Sequence, residues 1–95
     1  MADLTIEARR LTILQLLAQD TNYSINDVLL KDLLRKFGFN VALHVVKADL
    51  AWLESVNLLA TTDLTQCLVA VLKSDGLDVS NGDLIVPGVA RPRPT

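Results

Sequence analysis

Two stretches with helical apolar spacing meet at Gly38, and this junction constrains the fold more than any other feature of the chain. Before it, INDVLLKDLLRKF repeats Ile25, Val28, Leu29, Leu33 and Phe37 at helical intervals, with Lys31, Asp32, Arg35 and Lys36 away from that stripe. Ser24 supplies an N-cap with Asp27 three residues on, close to a capping-box pattern. Arg35 and Lys36 put positive charge in the last turn, where the helix dipole favours it. Gly38 tolerates the positive φ of a helix C-terminus, and Asn40 can cap the next helix. That helix is VALHVVKADLAWLESV, in which Leu43, Val46, Leu50 and Leu53 keep one core-facing spacing. Val41, Val45, Trp52 and Val56 form a second apolar stripe, and Asn40, His44, Lys47, Ala48 and Ala51 fill the arc between the two. Two helices joined by a short turn containing glycine are the signature of a helix-turn-helix.

The flanking segments fill out a small domain. A first helix runs from about Asp3 to Gln19, capped by Asp3 or Thr5 and favoured by Glu7 in its first turn. Leu4, Ala8, Leu11, Leu14 and Ala18 make one stripe, and Ile6, Ile13 and Leu17 make another, interrupted by Arg10. Apolar material on two sides suits either a deeply packed helix or one that also meets a second subunit. After Asn57, LLATTD and QCLVAVL read as a β-hairpin broken near Asp63 to Gln66. KSDGLDVSNGD reads as a short helical turn ending at Asn81 and Gly82. The last segment holds all 3 prolines, so it reads as an extended arm, ordered at Leu84 to Val86 and loose at the end.

Ninety-five residues suffice for one domain. At 51% hydrophobic residues, such a small domain has more apolar area than a monomer readily hides, which points to a homodimer built partly on the first helix. The single cysteine, Cys67, excludes an internal disulfide and reads as a small buried strand residue. No apolar run has the length of a membrane span, and MADLTIEARR lacks the pattern of a secretory signal. The expected location is the cytoplasm. His44 has no evident nucleophile or carboxylate partner, and no phosphate-cradling glycine loop or spaced metal ligands occur. The chain therefore reads as a non-enzyme with no cofactor and no metal. Its net charge of -2 carries no general attraction for nucleic acid, so any DNA contact has to come from a local patch.

The string VVKADLAWLESVNLLATT resembles the recognition helix and first wing strand of MarR- and ArsR-like winged helices. Val46, Leu50 and Leu53 match the buried helix positions, and Leu58 and Leu59 match the entry to the wing. VLKSDGLDVSNG is similar to the segment that closes the wing. With VPGVARPRP at the end, the chain resembles the small winged-helix proteins of Mu-like transposable phages and their prophages. Asn57 stands where many relatives carry glycine, a mild departure because asparagine tolerates the left-handed conformation. The resemblance implies an α+β, mainly α, winged helix-turn-helix: three helices, a hairpin wing, a short C-terminal helix and an extended arm. The domain would span residues 1–86, followed by a Pro/Arg-containing tail at 87–95. The implied role is a sequence-specific DNA-binding transcriptional regulator with its recognition helix at about 40–55. Asn40, His44, Lys47 and Ala48 would face the bases, and Lys31, Arg35 and Lys36 would meet the backbone of double-stranded DNA. Arg91 and Arg93 suit a minor-groove arm or a loose tail. A wing tip of Asp63, Leu64, Thr65 and Gln66 brings no positive charge, which favours the alternative of a protein-interaction or assembly module on the same scaffold.

Overall fold

The computed structural model describes residues 4–93; the expected cap at Asp3 and the end of the tail lie outside them. Seven elements follow in order: α1 (Leu4–Gln19), β1 (Ser24–Asn26), α2 (Asp27–Lys36), α3 (Leu43–Ser55), β2 (Leu59–Asp63), β3 (Leu68–Leu72) and α4 (Ser74–Asn81). The strands form one antiparallel sheet in the order β1-β3-β2. Leu59 to Asp63 pairs with Leu72 to Leu68 in the expected hairpin. The chain is mainly helical, with helices packed on one small sheet, an α+β arrangement.

The core is aliphatic. Ile13, Leu14 and Leu17 of α1 meet Leu30 and Leu34 of α2, Val46, Leu50 and Leu53 of α3, and Leu58, Leu59 and Ala70 of the hairpin, all buried. Burying a Leu, Ile or Val side chain contributes about 1.5–3 kcal/mol, so this cluster is the main stabilising term. Among these, Val46, Leu50 and Leu53 are the core positions expected for α3, whereas Leu43 is only half-buried. Val41, Trp52 and Val56 pack against the core from its edge, as a second stripe should.

The entry to α2 differs from the expected one. Ser24 does not cap the helix; residues 24–26 form β1, which pairs with β3 at Ser24↔Val71, Ile25↔Ala70 and Asn26↔Val69. A side chain arranges this approach: Asp20 Oδ2 accepts the N–H groups of Asn22 and Ser24 at 2.9 and 3.2 Å. Tyr23 takes φ 56 at the turn, and its carbonyl accepts the N–H of Leu72 at 2.8 Å. The strand satisfies the backbone groups on the free side of β3, which would otherwise stand as an open edge. The cap therefore moves to Asn26, whose side chain accepts the N–H of Leu29 at 2.8 Å.

This shift also rotates α2. Its buried residues are Asp27, Leu30 and Leu34, while Val28, Leu29 and Phe37, expected on the core stripe, are 46%, 47% and 58% exposed. Once Ile25 belongs to a strand, the helix buries the stripe that begins at Asp27. The turn after α2 is longer than Gly38 to Asn40, covering residues 37–42. Gly38 adopts φ 90 as expected. Asn40 is not the cap of α3; Ala42 holds that position without a side-chain hydrogen bond.

Polar side chains lock α1 to α3. Asp49 of α3 is buried and accepts from Nε of Arg9, itself buried on α1, and from Arg9 Nη2 at 3.1 Å. Arg10 approaches the same carboxylate, with Nε 3.7 Å from Asp49 Oδ1. Its guanidinium lies 3.9 Å from the centroid of the Trp52 ring, and its Nη1 donates to the carbonyl of Gly88 at 3.0 Å. That last bond ties down the C-terminal arm. Gly88, at φ 99, sits where a Cβ would come within 2.6 Å of the Trp52 ring. Val89 is buried, and the N–H of Ala90 donates to Glu7 O of α1 at 3.2 Å. The arm is thus anchored at Gly88 to Ala90; within Leu84 to Val86, expected to be its ordered part, Val86 packs against the core, while Leu84 and Ile85 are exposed.

A short polar link joins α3 to the hairpin. Asn57, at φ 67, makes the left-handed turn that the sequence expectation required of it. Glu54 accepts the hydroxyl of Thr61 at 2.7 Å and its N–H at 3.0 Å. These two bonds, the hydroxyl first, hold the Glu54 carboxyl below the ordinary glutamate range.

Two outcomes follow from these links. Asp49→Ala leaves Arg9 buried without its counter-charge, so chemical denaturation should show a loss of about 3–5 kcal/mol, whereas replacing both residues by apolar side chains of similar size should cost far less. Glu54 should titrate by NMR below a free glutamate, and Thr61→Val should return it towards the ordinary value. Because the folded value is the lower one, the link stabilises the fold above the ordinary glutamate pKa and is lost as pH falls through the depressed one.

Candidate nucleic-acid interface

The outward side of α3 is set by what its inward side buries. Val46, Asp49, Leu50 and Leu53 face the core. By the 3.6-residue period, His44, Lys47, Ala48, Ala51 and Ser55 then share the opposite face, and all are exposed. The structure thus brings His44, Lys47 and Ala48, three of the residues expected to face bases, onto one solvent-facing surface. Asn40 is exposed in the turn before α3 rather than on the helix.

The electrostatics of this face differ from a count of its charges. Asp49 does not face solvent; it is 3% exposed and paired with Arg9. Glu54 is exposed and keeps its negative charge, its carboxylate turned to Thr61 of the hairpin. Lys47 is the one cation on α3, and it too has a partner: its Nζ lies 3.8 Å from Oδ2 of buried Asp27. Alanines at positions 48 and 51 leave the centre of the face flat, so a groove or another surface can approach the helix closely.

On α2, Lys31 is half-buried and Arg35 and Lys36 are exposed; among the described residues none of the three holds an ion pair. Lys31 and Arg35 are one turn apart on one side of the helix. Lys36 projects from another side, and exposed Asp32 stands between them on the helical wheel. The α2 cations therefore form an edge interrupted by an acid rather than one continuous patch. The hairpin tip, Asp63 to Gln66, is exposed and carries no cation.

Further exposed acids lie along α4. Asp75, Asp78 and Asp83 lie on and after α4, all exposed, in a stretch from residue 74 to 90 that contains no lysine or arginine. The net charge of -2 thus averages over cations on α2 and on the C-terminal arm, at Arg91 and Arg93, and an aspartate-rich stretch on and after α4. Cys67 is half-buried. Among the described residues, no three or more His, Cys, Asp or Glu gather where they could hold a metal ion, and no helix is long and apolar enough to cross a membrane.

Arg9, Asp27 and Asp49 were not among the expected site residues, yet their spacing marks them. Arg9 precedes Ile13 and Leu16 by four and seven residues, and Asp49 follows Val46 by three and precedes Leu53 by four. Asp27 precedes Leu30 and Leu34 by three and seven. Each charge stands at a core position of its helix, and a charge at such a position needs a partner.

No family model matches the chain, and no solved structure matches it. Among curated proteins, it is 40% identical over 92 residues to the uncharacterized protein gp26 of Escherichia phage Mu, an alignment covering 97% of this chain and 95% of that protein. Identity at this level over nearly the whole of both chains does not arise from shared composition, and the chain belongs to the family of the gp26 protein of phage Mu.

Proposed function

We propose that this chain is a winged helix-turn-helix protein of phage or prophage origin, without catalytic activity, that binds double-stranded DNA through α3 and acts in transcriptional regulation. The observation that carries the reading is the inward turn of Asp49. With that acid paired to Arg9, the outer face of α3 presents His44, Lys47, Ala48 and Ala51, and the exposed acid left on the helix is Glu54 in its last turn, bonded to Thr61 of the hairpin. Removing an exposed acid from a helix face lowers its repulsion of phosphate. The architecture supports the same reading: α2, a turn and α3 are followed directly by a two-stranded hairpin, with β1 bound to its β3 edge. In helix-turn-helix readers the second helix enters the major groove, where Lys47 suits a phosphate or guanine edge and His44 a base acceptor. The Mu relationship supports the phage origin.

A second reading, a protein-interaction or assembly module on this scaffold, is favoured by one specific observation. Val28, Leu29 and Phe37 expose large apolar side chains on and just after α2, and the hairpin tip carries no positive charge. Apolar side chains left in solvent gain by being covered in a protein contact. Pairing of two chains is a further part of the proposal. Leu11 to Leu17 of α1 are largely spent in the chain's own core, so the first helix would pair through Leu4, Ala8 and the groove they share with Ala90 and Pro92.

A selection against randomised duplex at low salt, with a scrambled control, separates the two readings: enrichment supports the first, and its absence favours the second. Lys47→Ala should weaken binding to a selected duplex and flatten the dependence of log K on log salt by about 0.9. Unchanged affinity and slope would remove Lys47 from the interface. Sedimentation should show a two-chain mass that Leu4→Asp reduces; a single-chain mass at high concentration contradicts the pairing.

A further inference from the structure

Asp27 is the most completely enclosed acid on the α2–α3 side of the molecule. It opens α2, is 0% exposed, and its Oδ1 accepts the N–H of Val28 at 2.8 Å. Its other oxygen, Oδ2, has no hydrogen-bond partner among the described residues. The cation facing that oxygen is Lys47, with Nζ at 3.8 Å and a side chain that is 51% exposed. A carboxylate taken out of water needs a counter-charge, and Lys47 is the ion-pair partner present for it among the described residues. The same ammonium is the positive charge of the outer face of α3. One group therefore answers two demands, an inward one from Asp27 and an outward one from any phosphate.

We propose, resting on the DNA-binding reading above, that Asp27 restrains Lys47. The buried carboxylate draws the ammonium towards the α2–α3 junction, and duplex DNA gains its charge only by taking it from that pair. Asp27 is then a positioning residue that keeps the affinity for non-cognate duplex low, because a phosphate contact through Lys47 leaves Oδ2 without its cation. A cognate site, whose other contacts hold α3 in place, can offset that loss; a random duplex cannot. The device explains why a helix offered to DNA carries so little free charge: its one lysine is held back until the rest of the interface has formed.

Asp27→Asn is the direct test, since asparagine keeps the shape and the bond to Val28 while removing the charge. With cooperative unfolding confirming its fold, this variant should bind random duplex several-fold more tightly than the unaltered chain at low salt. Its slope of log K against log salt should steepen by about 0.9, one phosphate contact. Adding Lys47→Ala should abolish the gain. Equal or weaker binding by a folded Asp27→Asn variant overturns the restraint. A second measurement needs no variant: acylation of the unaltered chain, read by mass spectrometry, should modify Lys47 several-fold more slowly than exposed Lys36. Equal rates overturn the pair. If Lys47 is protected but neither chain binds duplex at low salt, the DNA-binding reading falls and takes the restraint's role with it, while the ion pair itself stands.

Discussion

The buried pair of Arg9 and Asp49 is the constraint on which the arrangement of the helices depends. Moving either charge out of water costs several kcal/mol, offset only by a partner in good geometry. Any rotation of α1 about its axis, or slide along α3, would separate the two and leave a bare charge in the interior. Aliphatic contacts between Leu and Val tolerate such shifts; a two-pronged guanidinium–carboxylate contact does not. The pair therefore sets one register for the two helices, and the leucines fill the space around it.

The effect extends to both ends of the chain. Arg10, next to the pair, is held between the Asp49 carboxylate, the Trp52 ring and the Gly88 carbonyl. A guanidinium against an aromatic face gains about 0.5–2 kcal/mol, more as water is excluded. Through Gly88 the same residue fastens the C-terminal arm, which crosses back to α1 at Glu7. Glycine is required at that position on two counts, its positive φ and the ring against its α-carbon. Gly76 meets a similar demand inside α4, where a Cβ would lie 2.0 Å from the Leu58 carbonyl oxygen and 2.6 Å from Leu72. These close approaches let α4 and the arm cover a core that a chain of this length could not otherwise enclose.

Much of the fold was legible in the order of residues because helical and strand periods depend only on local spacing. The core positions Val46, Leu50 and Leu53, the hairpin, the short helix ending at Gly82 and the left-handed turn at Asn57 all follow from such local rules. The α2 face was misread for an equally physical reason. Ile25, Val28, Leu29, Leu33 and Phe37 have a good helical period, but the choice of stripe depends on where the helix begins. That start is decided by β1 joining β3, a contact between residues more than forty positions apart. That His44, Lys47 and Ala48 share a face also follows from the helical period, whereas the state of the charges around them depends on partners from α1, α2 and β2.

The residue types and their spacing by themselves determined three things: a succession of helices, a hairpin after Asn57, and the core positions Val46, Leu50 and Leu53 of α3. They did so because backbone period, capping and turn conformation are local properties. Only the tertiary structure decided which face of α2 is buried, that Asp49 is turned inward onto Arg9, and that Lys47 is shared with Asp27. Each of those outcomes depends on burial and on distances between residues remote in sequence. The junction at Gly38 is where the two levels meet: the glycine ends one helix locally, and the packing of the two helices determines which of their charges remain free.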